Sequence, residues 1–415
     1  MPRIDSIDAW EIIDSRGRPT VAAKMVLDGV AGEVSVPSGA STGTAEAMEL
    51  RDGDPKRYSG LGTTRAVANI RTIISKTIVG QRIEDQQSLD RMLLDLDGTA
   101  NKSRLGGNTI LAVSLAFART LAAVQSVPLY QSLGKLVDID KPRLPRLTIN
   151  LFSGGKHAGG QVAIQDVLMV PLQKTIDEAL AATHAVYYAA AKLTGKKYNV
   201  RALKADEGGL APPFMSLEAM FDDAVEAMRV CDLEPGKDMA IAVDVASTHF
   251  YREGNYYLRG EPMSATQMRT QLKDWVNRWP IISVEDGLSE DDWLNWPLLR
   301  KDLGDKALTL GDDFLCTNPR RIERAVTANA CNALLLKVNQ IGTLTEASEA
   351  YRLARQAGWK VVVSARSGET EDNWLADLAV GWAADYIKVG SICQSERLAK
   401  YNRLLYIERE LQEQK

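Results

Sequence analysis

The sequence predicts an α/β protein with a small N-terminal α+β domain followed by a larger (β/α)₈ barrel. Two observations support this fold class. Beyond Pro142, short apolar runs alternate with segments of helical spacing, which is the pattern of repeated strand–helix units. Before that point, β-like segments come first and helical spacing follows, as in an α+β domain. We place the N-terminal domain at residues 1–135 and the barrel at residues 142–415.

The N-terminal domain begins with three predicted strands, at residues 7–13, 20–26 and 29–36. A small, glycine-rich segment follows at residues 38–43, with the sequence Ser-Gly-Ala-Ser-Thr-Gly. Such a segment is either a flexible surface loop or a lid that closes over a ligand. Over residues 64–131 the apolar spacing becomes helical, and we assign these apolar stripes to the core.

Eight apolar runs in the second part of the chain are candidates for barrel strands. They lie at residues 147–151, 167–170, 239–245, 281–284, 308–310, 334–338, 361–363 and 386–389. An open, doubly wound sheet is the structural alternative. No G-x-G-x-x-G follows a strand, and the Gly-Gly-Lys at 154–156 precedes a histidine rather than Ser or Thr. Neither a dinucleotide-binding fold nor a P-loop gains support.

Composition restricts the function classes. The 415 residues include 50 basic and 54 acidic side chains, so we expect neither a nucleic-acid nor a membrane partner bound through bulk electrostatics. The four cysteines contain no C-x-x-C pair, which suits a reducing compartment and neither a zinc site nor a disulfide framework. The N-terminus lacks the apolar core of a signal peptide, and no apolar run reaches bilayer-spanning length. We therefore expect a cytoplasmic protein.

Three successive predicted strands end in a carboxylate: Asp244, Glu285 and Asp312. Barrel enzymes collect their reactive groups at the carboxyl ends of strands, so these side chains should share one rim. Three like charges in close proximity raise one another's pKa unless a cation lies between them. A single strand-end Asp is usually a helix cap, but three in succession favour a metal site, and an all-oxygen ligand set suits Mg²⁺.

The next predicted strand delivers Lys337, and the last delivers Lys388. A lysine that ends a buried strand can simply extend its ammonium group to solvent. Two lysines side by side near a metal, however, should lower one another's pKa towards the range of a general base. We therefore expect at least one of them to act as a base.

Earlier strand ends carry His157, Gln165 and Asp166, and an excursion of the chain carries the acidic motif at 206–209. We expect these groups to join the same rim. The other histidines, His184 and His249, have no such polar neighbours in the sequence, and we interpret His184 as a residue of a helix surface.

Arg366 and Ser367 lie in the turn that follows the β-branched run at 361–363 and precedes a helix with an acidic first turn. This is where α/β proteins place anion-binding groups. An ordinary strand–helix loop with solvated charges is the alternative. Combined with Mg²⁺ and a basic lysine, an anion site indicates abstraction of a proton next to a carboxylate, because a metal and a lysine can together stabilise the dianionic aci-carboxylate.

Several longer motifs extend through nearly the whole chain. They lie at residues 15–17, 38–43, 49–54, 101–103, 206–209, 337–343 and 395–402. These motifs resemble those of the enolase (phosphopyruvate hydratase) family. The resemblance implies a modified, enolase-type TIM barrel under an N-terminal capping domain, usually in a homodimer. It also implies interconversion of 2-phosphoglycerate and phosphoenolpyruvate with two Mg²⁺ ions, the second arriving with the substrate.

The resemblance also implies roles for individual residues. The ligands of the first Mg²⁺ would be Asp244, Glu285 and Asp312, and the second ion would be held by Ser41. The catalytic residues would be Lys337 as the base, Glu207 as the acid that assists loss of the 3-hydroxyl, and Asp166. The substrate would be bound by His157, Gln165, Ala40, Arg366, Ser367 and Lys388.

The chain departs from the family pattern at four of these motifs. Ala365 stands where enolases have histidine, Asp166 where they have glutamate, Ala205 where they have glycine and Arg18 where they have asparagine. A misplacement of about 1 Å can cost about a hundredfold in rate. Three functions therefore remain open: a working enolase, a paralogue with another product such as the carboxyphosphonoenolpyruvate synthases of phosphonate pathways, and a non-catalytic binding paralogue. Retention of both lysines and all three carboxylates disfavours the last.

Overall fold

A computed structural model describes residues 1–39 and 45–413 of the chain. The N-terminal domain contains an antiparallel sheet in the order β1-β2-β3, which confirms the three predicted strands. These strands are β1 (Ile4–Ile13), β2 (Pro19–Leu27) and β3 (Val30–Ser35). β2 is the central strand and is buried along most of its length, as its run of valine, alanine and methionine requires.

Helices of the N-terminal domain cover one face of this sheet. They are α1 (Thr64–Asn69), a π-helical turn (Ile70–Ile74), α2 (Ser75–Ile78), α3 (Gln86–Asp97), α4 (Gly107–Val124) and α5 (Leu129–Lys135). α4 packs so closely on β3 that a Cβ at Gly32 would collide with the Thr120 hydroxyl. α4 is also long and apolar enough, by length and composition alone, to cross a membrane, but 78% of that stretch is buried inside the protein.

The second domain is a closed eight-stranded barrel in the order β10-β11-β12-β13-β4-β5-β6-β9. All eight predicted apolar runs form its strands. They are β4 (Arg146–Ser153), β5 (Asp166–Pro171), β6 (Met239–Asp244), β9 (Ile281–Glu285), β10 (Leu308–Gly311), β11 (Ala333–Leu336), β12 (Lys360–Ser364) and β13 (Tyr386–Gly390). A short hairpin of β7 (Tyr251–Arg252) and β8 (Asn255–Tyr256) lies outside the barrel.

One strand departs from a regular (β/α)₈ barrel, since β5 runs antiparallel to both of its neighbours, β4 and β6. The connection from β4 to β5 holds only a 3₁₀ turn (Gly155–His157) and no crossover helix. Antiparallel strands can be joined by a short loop, whereas parallel strands need a long crossover. As a result the start of β5, rather than its end, delivers Gln165 and Asp166 to the rim that the other strands reach with their carboxyl ends.

Helices surround the barrel, and its interior is filled by small and branched side chains such as Leu168 and Ala242. The helices are α6 (Ile176–Tyr198), α7 (Leu217–Val230), α8 (Ala265–Arg278), α9 (Trp296–Leu303), α10 (Pro319–Ala328), α11 (Val338–Ile341), α12 (Leu344–Gln356), α13 (Trp374–Gly381) and α14 (Ser395–Glu413). α6 begins with a capping box in which Thr175 and Glu178 satisfy each other's backbone groups.

The N-terminal domain sits on the barrel through the loop that follows β12. Ser38 and Gly368 form an antiparallel bridge, and Arg119 of α4 pairs with Asp372 at 2.5 Å. The Asp372 carboxylate also accepts from the Ser35 amide. The loop predicted to bind an anion is therefore held from both domains.

Candidate active site

A pocket opens at the barrel rim where the predicted site residues converge. Most of those residues line it: His157, Gln165, Glu207, Asp244, Asp312, Lys337, Arg366, Ser367 and Lys388. Two others, Asp166 and Glu285, are buried and do not line it, although Glu285 lines a second cavity beside Lys388. Ala40 and Ser41, which the family resemblance implies, lie outside the described residues.

Asp244 and Glu285 face each other across β6 and β9, which place them in direct register. The Lys388 ammonium group bridges them. Its Nζ lies 2.9 Å from Asp244 Oδ2 and 2.8 and 2.7 Å from the two Glu285 oxygens. All three side chains are buried, so this is a charge cluster shielded from solvent.

Asp312 follows β10, and residues that follow the next strand, β11, donate hydrogen bonds to its carboxylate. Its Oδ2 accepts from the Lys337 ammonium group, and its Oδ1 accepts from Gln340 Nε2 at 2.9 Å. Behind it, the carboxylate of Asp286 accepts from the backbone amides of Asp312 and Asp313, each at 2.9 Å. The rim therefore holds more carboxylates than the three that the strand ends predict, and Asp286 and Asp313 also line the pocket.

Negative charge exceeds positive charge in this part of the site. Burial raises the pKa of Glu285 well above its usual range, and the Asp244 and Asp312 carboxylates raise it further. Burial together with Asp312 raises the pKa of Asp313 to about 7. Neighbouring carboxylates repel one another and so raise one another's pKa. A divalent cation bound between them offsets that repulsion.

The donor set fits a hard cation. Asp286, Asp312 and Asp313 offer oxygens within 4.8 Å of one another, and Asp312 is shared with the predicted ligand set. Among the residues that the structure describes, the buried side-chain oxygen of Gln165 has no hydrogen-bond partner, while its nitrogen donates to Asp244 Oδ2 at 3.1 Å. Buried carboxylate and amide oxygens suit Mg²⁺ rather than a soft metal.

From the sequence, we expect neighbouring cations and a metal to lower the pKa of the two lysines; among the protein's own groups, the carboxylates have the larger effect and raise it. Burial and Arg366 do lower the pKa of Lys337, but Asp312 and Asp313 outweigh them and raise it overall. Lys388 shows the same balance, since Asp244 and Glu285 overcome burial and raise its pKa well above the usual value. Both lysines are therefore held as ammonium ions by carboxylates, Lys337 by one that follows the neighbouring strand β10 and Lys388 by two from strands across the barrel.

A second polar cluster surrounds Asp166 at the start of β5. Ser153 Oγ donates to Asp166 Oδ1 at 2.7 Å, and His157 Nδ1 lies 3.0 Å from Asp166 Oδ2. Burial opposes protonation of His157, but the Asp166 carboxylate outweighs it and raises the pKa of His157 to about 9. Asp166 is thus fully buried behind a protonated imidazole, and it acts on the pocket through His157.

Glu207 lies in the same cluster, within 4.8 Å of ligand atoms of His157 and Asp166. Its Oε2 accepts from Asn150 Nδ2 at 3.1 Å. Burial opposes ionisation of Glu207, yet the positive charges of Arg397 and His157 outweigh it and lower its pKa. At neutral pH, His157 rather than Glu207 therefore holds a proton, and the acid role implied for Glu207 remains a prediction.

Arg366 forms a two-point ion pair with Glu46 of the N-terminal domain. Nη1 and Nη2 lie 3.0 and 3.2 Å from the two Glu46 oxygens, and Nη1 also donates to Asn339 Oδ1 at 2.9 Å. The adjacent Ser367 hydroxyl accepts from Arg16 Nη1 at 3.1 Å. Sequence reasoning missed Glu46, because nothing local links an acidic residue near the glycine-rich segment to an arginine 320 residues away.

Two further residues complete the walls of the pocket. Ala365 lines it beside Arg366, and its amide donates to the Lys388 carbonyl at 2.8 Å. His249, in the 3₁₀ turn Ser247–Phe250 after β6, lines the same pocket. His249 has no polar neighbours in the sequence, but its position five residues beyond the strand-end Asp244 indicates that it follows a barrel strand to the rim. His184 does lie on α6, where its ring packs on Tyr188.

Two protein-family models match the chain, and together they span nearly all of it. The model described as the enolase N-terminal domain matches residues 4–133. The model described as the enolase C-terminal TIM barrel domain matches residues 141–415.

Proposed function

The chain belongs to the enolase family, and from this premise we propose that it is a magnesium-dependent lyase acting on a phospho-carboxylate. The proposed reaction removes the α-proton of 2-phosphoglycerate and eliminates water to give phosphoenolpyruvate. One observation supports it most: a single pocket brings together an arginine–serine anion site, two lysines and a surplus of buried carboxylates. Abstraction of a proton next to a carboxylate uses all of these groups.

Asp244, Glu285 and Asp312 are the residues that would hold Mg²⁺, with Gln165 close to Asp244. When bound, Mg²⁺ supplies positive charge that stabilises the aci-carboxylate dianion. Lys388 forms ion pairs with Asp244 and Glu285. If those carboxylates ligated Mg²⁺, the Lys388 ammonium group would be placed to donate to the substrate carboxylate instead.

Lys337 is the proposed base. Its ammonium group is stabilised by Asp312, which is also a proposed ligand. If Asp312 ligated a cation, it would stabilise the Lys337 ammonium group less, while burial and Arg366 would continue to favour the neutral amine. The neutral Lys337 amine is the group that would accept the α-proton.

The leaving hydroxyl needs a proton, and His157 holds one. Asp166 keeps the His157 ring protonated at neutral pH and fixes its orientation through Nδ1. The other ring nitrogen is then the group from which a proton can reach the leaving oxygen. Glu207, ionised and beside this ring, can stabilise the imidazolium rather than supply the proton itself.

A paralogue with a changed product is the second candidate, and Ala365 favours it. Ala365 puts a methyl group where the family has an imidazole, on the wall next to Arg366. A phospho- or phosphono-carboxylate with a different substituent has room there, and the carboxyphosphonoenolpyruvate synthases are enolase relatives that make another product. Here the metal, the base and the anion site would keep their roles, and only the fate of the carbanionic intermediate would differ.

Supplying 2-phosphoglycerate and Mg²⁺ in deuterium oxide tests the proposal. Exchange at the α-carbon and formation of phosphoenolpyruvate are followed together by NMR. Both together support the dehydratase, and exchange without elimination supports the paralogue. Neither exchange nor product would overturn the assignment of 2-phosphoglycerate as a substrate.

A further inference from the structure

His249 is a pocket residue for which the proposed reaction has no use. Its backbone amide donates to the Ala246 carbonyl within the 3₁₀ turn after β6. Among residues 1–39 and 45–413, its ring has no hydrogen-bond partner, although it is partly buried and lines the pocket. A partly buried imidazole without a polar partner at the wall of a site has a free N–H to offer to a ligand.

The barrel topology sets the position of His249 relative to the anion site. In the closed strand order, β6 and β12 are four strands apart in either direction, so they lie on opposite sides of the barrel. The loop after β12 carries Arg366, and the turn after β6 carries His249; both line the same pocket. A substrate whose phosphate contacts Arg366 therefore extends its other end towards His249.

The remaining walls indicate which part of the substrate arrives there. The carboxylate end belongs with Lys388 and the acidic ligands, and the phosphate belongs with Arg366. The remaining carbon substituent of the α-carbon is the β-carbon with its leaving group. It then faces His157 and His249. His157, in the turn before β5, and His249, in the turn after β6, come from neighbouring strands, which places both at this side of the pocket.

We infer that His249 is a substrate-contacting residue that donates a hydrogen bond to an oxygen on the β-carbon of the phospho-carboxylate, and so selects substrates that carry one. This rests on the proposed function, because it needs a ligand with its phosphate at Arg366. The inference assigns a role to the His249 imidazole, which lies on the side of the pocket opposite Ala365. The substrate class is a 2-phospho-carboxylate with an oxygen-bearing β-carbon.

Two ligands that differ by a single oxygen test this inference. 2-Phosphoglycerate has a hydroxymethyl group where 2-phospholactate has a methyl group. Dissociation constants for both are measured with Mg²⁺ by calorimetry in a Lys337→Ala background, where neither ligand is consumed. A neutral hydrogen bond is worth about 1 kcal/mol, so we expect 2-phosphoglycerate to bind about fivefold more tightly than 2-phospholactate.

His249→Ala in this background should bring the ratio of the two constants close to one, and His249→Gln, which keeps an N–H donor, should retain part of it. His184→Ala is the matched control, because that histidine lies on α6 and stacks on Tyr188 away from the pocket. It should leave the ratio unchanged. A merely structural role for His249 would weaken both ligands equally.

The outcomes separate this inference from the proposed function. Suppose that both ligands bind, but that the ratio of their dissociation constants is already one in the Lys337→Ala protein or is unchanged by His249→Ala. The inference then fails and the proposed function stands. If neither ligand binds before His249 is changed, the proposed function itself fails and takes the inference with it.

Discussion

Arg366 and Glu46 lie 3.0 Å apart at their closest atoms, and each side chain is about 95% buried. The pair joins the predicted anion clamp of the barrel to the N-terminal domain. A substrate phosphate must therefore share Arg366 with a carboxylate or displace it. Removing one member of a buried ion pair leaves the other charge uncompensated, which commonly costs about 3–5 kcal/mol.

Glu46→Gln should lower the melting temperature of the protein without ligand, since Arg366 loses the carboxylate with which it forms a two-point ion pair. Addition of 2-phosphoglycerate and Mg²⁺ should then raise the melting temperature by more in the variant than in the parent, because the phosphate replaces the missing charge. Glu49→Gln is the control, as Glu49 pairs with Arg51 in the same segment but outside the pocket. Equal ligand-induced shifts in Glu46→Gln and the parent would contradict competition at Arg366.

Lys337→Ala should reduce α-proton exchange of 2-phosphoglycerate by about 100- to 10,000-fold, the usual contribution of a general base. Exchange is measured by NMR in deuterium oxide. Lys360→Ala provides the comparison, because Lys360 starts the strand β12 at the far end of the barrel and is about half exposed. Exchange that persists in Lys337→Ala would rule out Lys337 as the base.

Ala365→His should raise the rate of water elimination relative to the rate of α-proton exchange. The substitution restores to the wall beside Arg366 an imidazole that the enolase pattern has there. Ala205→Gly, which reverses another departure from that pattern, should change this ratio less, because Ala205 does not line the pocket. If elimination relative to exchange does not rise in Ala365→His, Ala365 is not what limits dehydration.

The pair of His157 and Asp166 makes stability depend on pH. The pKa of His157 rises from about 6.5 when unfolded to about 9 when folded, because of Asp166. A raised pKa means that the folded state binds the proton more tightly, so this stabilisation is complete below pH 6.5 and disappears as pH rises through 9. Its size is at most about 3 kcal/mol.

The free energy of unfolding of His157→Gln, measured by urea denaturation, should approach that of the parent between pH 6.5 and 9.5. A constant difference between the two proteins across that range would refute this assignment.

Asp312→Asn should weaken Mg²⁺ binding by at least about 10- to 100-fold, a range that loss of even an outer-shell partner produces. Asp312 is a proposed ligand and lies in a group of carboxylates whose oxygens are within 4.8 Å of one another. Binding is measured by titration calorimetry with Mg²⁺ alone. Asp385→Asn, at the amino end of β13, should leave it unchanged. An unaltered dissociation constant in Asp312→Asn would remove Asp312 from the ligand set.

The barrel strands could be predicted because each is a short apolar run, buried on both faces and bounded by helical spacing. The reversed direction of β5 could not, since an apolar run reads the same in either direction. The strand-end rule placed Asp244, Asp312 and Lys337 on one rim because it depends only on strand order.

Other features of the site depend on contacts between distant parts of the chain. The pairing of Lys388 with Glu285 joins two strands that are not neighbours, and Glu46 reaches Arg366 from another domain. His249 has no motif, and its distance of five residues from the strand-end Asp244 indicates only that it lies near the rim. These are side-chain placements, which no local pattern specifies.

The bridge between Ser38 and Gly368 has a consequence for folding kinetics. Ser38, Arg16 and Glu46 contact the loop after β12 across more than 300 residues of chain, among the most distant pairings in the protein. Contacts of such separation form late, because loop closure precedes any gain from them. The barrel can bring its carboxylates and lysines together while the contacts around Arg366 and Ser367 are still unformed. Recovery of phospho-ligand binding during refolding should therefore lag behind recovery of barrel secondary structure.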